Sequence, residues 1–520
     1  MGRQLRNGDG APLHTANPVL WRRWSAPGGY AELVRVGVPL ILSTGFWSIQ
    51  QFVDRMFLSW YSPEAVAAAS PAGLVAWTIA SVFVGTAAYV DTFVAQYYGA
   101  RQYGRIGPAV WQGVYLTGIA AVAGVGAFLV AEPLFALTGH PPGVLALEVR
   151  YYRVLSLGMF APVLGSALSS FFSGRGDTWV VMWASAIATL TNVVLDYALI
   201  FGKWGMPELG ITGAALATVA SGLVAVAVYA VLFLGQQHDG EFRTRRGWRP
   251  EGELFKRLLR FGLPSGMHFF LDILGFTAFV IIAGRLGTAE LAATNIAFNI
   301  NSLAFMPLYG IGIAVSILVG QWIGADRPDL AEKSTWSGFH LSAAYMTLFA
   351  FGYLVFPRVF LRPFAAQADA AQMARVFATA VVLLRFVAAY SLFDAMNVIF
   401  GSAIKGAGDT RFVALVNVAL SWAVMVIPSY VAVSVFGKGL LTMWGAATLY
   451  IMLVGLTFLL RFLRGKWKSM RVIEVPRTGV LRVPEGCHAP EGLLGALPAG
   501  TTEEGREGLP RVAGSNGSGN

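Results

Sequence analysis

Four residues within the apolar run 179–201, Ser185, Thr189, Asn192 and Asp196, are spaced four, three and four apart. On a helix that spacing draws one polar stripe along an otherwise apolar rod. The run is long enough to cross a bilayer, which takes ~20 residues. A carboxylate held at membrane depth costs about 2.5–3.5 kcal/mol on insertion scales, so it faces a bundle interior or a water-filled cavity and marks a pathway for ions or substrates. The alternative role for Asp196 is structural, as a hydrogen-bonding group between helices.

Three further aspartates lie in similar runs: Asp54, Asp272 and Asp394. Counting along helices at 1.5 Å per residue puts Asp54 and Asp196 at matching depth in one half of the membrane, with Thr218 within reach of both. Asp272 and Asp394 fall deeper and belong to a second group, in which Tyr390 and Asn397 share the face of Asp394 by i,i+4 and i,i+3 spacing. The chemistry on offer is cation or proton binding, not bond-breaking. Desolvation and a neighbouring carboxylate both favour the protonated form of an aspartate. Oxygens of Asp, Asn, Thr and Tyr also suit a hard cation such as Na+, and no other metal is expected. Trp47, Gln50 and Asp54 line one face of a helix, and Asn295, Asn299 and Ser302 line another; each stripe fits either cavity lining or interhelical hydrogen bonding. Arg55 adjoins Asp54 but points elsewhere, since i,i+1 side chains diverge. His268 precedes Asp272 by one turn and fits a packed core histidine better than a proton relay. Asp91 reads as an interfacial acid.

The elements that must position these groups are membrane spans. The 520 residues are 56% hydrophobic and only 13% charged, against about 25% charged in ordinary soluble proteins. Spans are expected near 35–60, 66–99, 108–131, 149–172, 179–201, 209–235, 261–283, 290–322, 334–356, 374–404, 411–436 and 440–463. An N-terminal arm (1–32), a basic connector (236–260) and a tail (465–520) expected to be disordered complete the chain. No cleaved signal peptide is expected ahead of the first span. The single cysteine, Cys487, rules out an intramolecular disulfide. The net charge of +10 reflects membrane topology and not nucleic-acid binding. Arg3, Arg6, Arg22, Arg23, Arg101, Arg105, Arg175, the connector, Arg327, Lys333, Lys405, Arg411 and the cations of 461–468 share one side if there are twelve spans. By the positive-inside rule both termini are then cytoplasmic.

The two halves repeat. R-V-G-V-P (35–39) matches R-F-G-L-P (260–264), and V-A-Q-Y-Y-G-A (94–100) matches V-G-Q-W-I-G-A (319–325), both offset by 225; G-R-G-D-T (174–178) matches G-A-G-D-T (406–410), offset by 232. Six spans per half leave the halves in the same orientation, so an N-lobe (33–235) and a C-lobe (261–464) are expected about a pseudo-twofold axis along the membrane normal, an all-α transporter architecture. The acids break this repeat. Asp54 pairs with Phe279, Asp272 with Trp47, Asp196 with Pro428 and Asp394 with Pro162. The scaffold does without them in its other copy, so they are function placed on a symmetric frame.

At V-D (53–54), V-A-Q-Y-Y-G-A, N-V-V-L-D (192–196) followed by G-A-A-L-A-T, L-P…D (263–272) and Y-S-L-F-D (390–394), the chain resembles the multidrug and toxic compound extrusion (MATE) family over roughly 33–464. The resemblance implies twelve helices in two lobes and export of cationic or amphipathic compounds in exchange for H+ or Na+, with no cofactor. It implies cation-site residues at Asp54, Asn192, Asp196 and Thr218 in the first lobe and at Asp272, Tyr390 and Asp394 in the second. Position 272 is often glutamate in the NorM-like branch, and both sets occur together here, so the pattern does not choose between them. The protein is expected to work as a monomer in the cell membrane. A lipid-linked oligosaccharide flippase of the same superfamily is the alternative transporter; such flippases tend to carry basic cavities. An intramembrane aspartyl protease is the alternative enzyme, but its G-x-G-D signature here sits in two repeat-equivalent loops (174–177 and 406–409), where a Gly- and Asp-built turn suffices.

Overall fold

The computed structural model describes residues 24–367 and 370–474. Among these residues there is no strand, and twelve helices are long and apolar enough to cross a membrane. They are α1 (Tyr30–Tyr61), α2 (Pro63–Gly99), α3 (Tyr103–Leu129), α4 (Pro142–Ser173), α5 (Thr178–Phe201), α6 (Ile211–Phe233), α7 (Gly252–Gly284), α8 (Thr288–Gly324), α9 (Pro328–Val355), α10 (Arg375–Ala407), α11 (Thr410–Ser434) and α12 (Leu440–Leu463). Local chemistry sets their ends. Ser62 accepts the Ala65 N–H at 3.1 Å ahead of Pro63, a side-chain cap with proline in the first turn. Gly202 closes α5 in the left-handed region at φ +63°.

Several expected boundaries move. α7 begins at Gly252, so the last nine residues assigned to the connector are helix, and a short helix, Gln236–Phe242, occupies its beginning. The expected tail starts later than 465. Trp467 is 1% exposed and stacks on Phe462 at 4.9 Å, and Val472 and Ile473 are buried. Arg3, Arg6, Arg22 and Arg23 of the arm, and Cys487 with residues 475–520, lie outside the described residues.

The repeat is visible in the contacts. Ser43 Oγ meets Ser185 Oγ at 2.6 Å between α1 and α5, and the residues at the repeat offsets, His268 and Asn417, hydrogen-bond between α7 and α11. Gln96 Nε2 donates to the Gly406 carbonyl at 3.0 Å, while its counterpart Gln321 donates to Gly174 at 2.8 Å. Gly85 packs on Gly266, and their counterparts Gly310 and Ile41 pack on each other. Small residues let these backbones approach, as helix association in membranes requires. The two lobes, α1–α6 and α7–α12, therefore meet along α1 with α8 and α2 with α7.

Twelve spans put both ends of the bundle on one face, the termini face. There the contact is tightest. A Cβ at Gly99 would sit 1.8 Å from the Gln321 carbonyl oxygen, and one at Gly324 would sit 2.1 Å from that of Gln96. The segment after α12 crosses the same seam: Val472 N–H donates to Gln96 Oε1 at 2.9 Å, and Lys468 pairs with Glu332 at 2.5 Å.

Candidate functional site

The polar stripe of α5 faces α1. Thr178 Oγ1 donates to the Val36 carbonyl at 2.9 Å, Ser185 meets Ser43, and Thr189 Oγ1 donates to the Phe46 carbonyl at 3.2 Å. These bonds run up the seam toward the face opposite the termini and end at Asn192 and Asp196, both 0% exposed. Asp54, 6% exposed, comes from α1 to the same place.

The Asp54 and Asp196 carboxyl groups are neighbours that act on each other, and the Tyr151 hydroxyl of α4 stands near Asp54. Five buried atoms here have no protein partner: Asp54 Oδ1, both Asp196 oxygens and both amide atoms of Asn192. Two ionised carboxylates are acceptors only, so neither can satisfy the other. A shared proton, or a cation taking several of these oxygens, satisfies the pair and removes the repulsion at once. Arg55 is exposed while Asp54 is buried, as the i,i+1 divergence requires. Thr218 is half-buried on α6.

The second group assembles from four helices. Asp272 on α7 is half-buried; Tyr390 and Asp394 on α10 are 2% and 5% exposed. Asn397 stands near Asp394, as does Asp272. Tyr450 of α12 reaches Asp272 and donates to Asn417 Oδ1 at 3.2 Å; Asn417 in turn bonds His268. His268 is thus held in a hydrogen-bonded network, in place of a relay aimed at Asp272. Tyr309 of α8 also stands near Asp272. Lys405, assigned by sequence to a loop, lies in the last turns of α10 and faces Asp272 and His268. The site therefore carries an internal cation beside its acids.

α11 departs from α5 at the position where the repeat loses Asp196. Where α5 carries Asp196, α11 carries Pro428, which lacks an N–H, and residues Ser421–Val426 relax into a π-helical turn. The Ser421 hydroxyl of that turn packs on Gly275 of α7. The C-lobe acids stand on α7 and α10.

Between the lobes, Trp47 is 41% exposed and lies 5.9 Å from Trp77, which meets Phe269 of α7 edge-on at 6.3 Å. This aromatic patch joins α1 and α2 of the first lobe to α7 of the second. Gln50 is half-buried on the same helix as Trp47. Asn295 and Asn299 are exposed on α8, and Asn299 and Ser302 fold back onto carbonyls of their own helix at 2.8 Å.

Sequence reasoning missed Tyr151, Tyr309, Asn417, Tyr450 and the placement of Lys405. Two were within its reach. G-A-A-L-A-T (213–218) aligns with G-A-A-T-L-Y (445–450) at the 232 offset, which makes Tyr450 the counterpart of Thr218, and Asn417 is the counterpart of Ser185. Tyr151 and Tyr309 carry no such signal.

Known proteins match this geometry. The MatE family model matches residues 39–198 and 264–431. The probable multidrug resistance protein NorM of Thermotoga maritima is 25% identical over 444 residues, covering 85% of this chain and 94% of its own length. The NorM of Pseudomonas putida is 28% identical, covering 85% and 95%. Among solved structures, the outward-facing form of a multidrug resistance MATE family transporter of the MOP superfamily superposes with TM-score 0.76 at 20% identity, covering 88% of this chain and all of that one. A MOP superfamily transporter from Pyrococcus furiosus, whose binding pocket is described as having reverse polarity, gives the same score at 20% identity, covering 86% and 98%.

Proposed function

The chain belongs to the MatE family and is a multi-pass membrane transporter, not an enzyme; on that premise we propose that it is a secondary active multidrug efflux transporter. It exports cationic or amphipathic compounds by antiport with H+ or Na+, as a monomer, through alternating access of its two lobes. The observation that carries the reading is the buried Asp54–Asp196 pair with Asn192 beside it, rich in acceptors that no protein group satisfies. Such a pair binds a cation or proton when open to one side and must release it, or stay neutral, before it faces the other. The names of the NorM relatives support multidrug substrates, and the Trp47–Trp77–Phe269 patch offers ring faces of the kind that attract delocalised cations. In this reading the C-lobe acids hold substrate, and Lys405 competes with it for Asp272.

The driving force is adequate. One charge crossing ~100 mV releases about 2.3 kcal/mol, enough for roughly a fiftyfold gradient. A monovalent cationic drug exchanged for one proton moves no net charge, so the pH difference alone would then drive export.

Orientation follows from charge. Arg101, Arg105, Arg175, Arg327, Lys333, Arg411, Arg461, Arg464, Lys466 and Lys468 cluster on the termini face, against Lys203, Arg285, Arg358, Arg362 and Lys438 on the other, which supports cytoplasmic termini. The test is transport of a fluorescent lipophilic cation in reconstituted vesicles under separately imposed proton and sodium gradients. Export driven by one of them is expected. Lys405 is the observation that favours the flippase alternative; flipping of a lipid-linked sugar with no cation export in either gradient would establish it.

A further inference from the structure

One stripe of α10 carries Tyr390, Asp394, Asn397, Gly401 and Lys405, spaced four, three, four and four apart. That spacing keeps all of them on one face of the helix, with Lys405 ~16 Å nearer the termini face than Asp394. The stripe looks into the C-lobe: Gly401 packs on Phe458 of α12, and Tyr450 of α12 stands near both acids. α7 runs the opposite way and brings His268 and Asp272, one turn apart, to the same space. The turn that holds Lys405 is fixed at the lobe seam, where the Tyr89 hydroxyl of α2 donates to its carbonyl at 2.9 Å.

Lys405 is half-buried, and among the described residues its ammonium has no hydrogen-bond or ion-pair partner in direct contact. The acid one turn further on, Asp409, is taken by Arg461, whose guanidinium donates to it at 2.9 and 2.6 Å. What remains for Lys405 is Asp272, the charge that acts on it from α7. An ammonium at membrane depth pairs with an acid or faces a water-filled cavity. Here it stands off from Asp272, beyond ion-pair contact, which leaves the carboxylate open to a second cation. The space therefore holds two acids, Asp272 and Asp394, and one tethered cation. Its other polar groups are the hydroxyls of Tyr309, Tyr390 and Tyr450 and the hydrogen-bonded Asn417–His268 pair.

We propose that Lys405 sets the charge of the transported compound: with Asp272 and Asp394 ionised, its ammonium leaves the C-lobe site one negative charge, which a monovalent organic cation neutralises and a divalent one exceeds. The inference rests on the transport reading above, in which these acids hold a cationic substrate. A charge left over in the interior is costly, so the site favours the monocation. Repulsion from Lys405 also falls twice as hard on two charges as on one. A unit charge at ~8 Å, in surroundings of effective ε ~20, changes affinity about 30-fold, and the lysine separates otherwise similar mono- and dications by about that factor.

Two probes separate charge from shape: methyl viologen, a dication of two joined pyridinium rings, and N-methyl-phenylpyridinium, its monovalent analogue with phenyl in place of one of those rings. Equilibrium binding of each to the purified full-length protein is measured, together with export in reconstituted vesicles. Wild type should bind the monocation more tightly and export it. Lys405→Met should move the dication-to-monocation affinity ratio at least ~10-fold toward the dication, and Lys405→Gln should do the same. Lys405→Arg keeps the charge and should keep the wild-type ratio. A purely structural role for Lys405 would lower both affinities together and leave the ratio unmoved. Wild type that exports the monocation, with the same ratio in Lys405→Met, leaves the transport reading standing and overturns this inference. A ratio shifted as far by Lys405→Arg as by Lys405→Met also overturns it. Wild type that neither binds nor exports either probe removes both readings. Should the uncharged variants fail to fold, the wild-type preference decides, and tighter binding of the dication overturns the proposal.

Discussion

The Asp54–Asp196 pair isolates the coupling question in two side chains. Asparagine at 196 keeps the size and hydrogen-bonding capacity of a protonated acid but cannot exchange a proton or supply full charge to Na+. Asp196→Asn should therefore insert and express normally yet lose export, and Asp54→Asn should behave alike. Asp394→Asn should weaken export less. Initial efflux rate per folded transporter, at several external pH values, is the measurement; a dead Asp394→Asn beside a wild-type Asp196→Asn would move coupling to the C-lobe. Tyr450 allows the complementary test. Tyr450→Phe removes the hydroxyl that donates to Asn417 Oδ1 beside Asp272, and loss of one such neutral bond is worth about 0.5–1.5 kcal/mol, a factor of ~2–10. Half-saturating substrate concentration should rise by about that factor while ion dependence stays unchanged, because the N-lobe pair is untouched.

Among the helices, α2 and α8 cross at the termini face with no room for a side chain at Gly99 or Gly324. The contact is backed by the two glutamine clasps, each spending a buried side-chain N–H on a carbonyl of the other lobe. Gly99→Leu cannot be accommodated by rotamer change, since the obstructing atom is the Gln321 carbonyl oxygen and not a flexible side-chain end. The lobes must separate there. With Cys487 replaced by serine, a cysteine introduced at Ser316, which packs on Gly406, should react slowly with an impermeant thiol reagent in the otherwise unchanged protein and several times faster in Gly99→Leu. Equal rates would mean that this crossing does not seal the face. Gln96→Leu should give a smaller increase. It frees the Val472 N–H and the Gly406 carbonyl, at about 1–3 kcal/mol for each group left unpaired, without forcing the backbones apart.

For the molecule as a whole, orientation in the membrane is the first thing to establish. The net charge of +10 is distributed mostly on the face that holds the chain ends. Reporter fusions after residues 245 and 470 should both report the cytoplasm; an external signal from either would invert the direction of transport assigned above. The pseudo-twofold frame makes a further point at this scale. Both lobes keep an equivalent α1–α5 or α7–α11 hydrogen bond and an equivalent clasp, yet they carry different acids. One frame can therefore bind ion and substrate in separate lobes and couple them through the shared seam at the termini face.

Sequence alone determined the twelve spans, the two-lobe repeat and the identity of the acids, because span length, hydropathy and repeat offsets are local properties of the chain. It also determined that the 185–189–192–196 stripe lies on one face, since helical periodicity needs no neighbour. Only the tertiary structure decided what each face meets. Periodicity names a face and not its partner, so Tyr151 arriving from α4 and Tyr309 from α8 were not legible. Lys405 stands at the termini end of α10 as its position after span 10 implies, but composition cannot tell that it lies in the last turns of the helix and acts on an acid across the bundle. Trp467, Val472 and Ile473 were read as tail for a related reason: a short apolar group in a polar context looks solvated until a seam between two lobes is present to bury it.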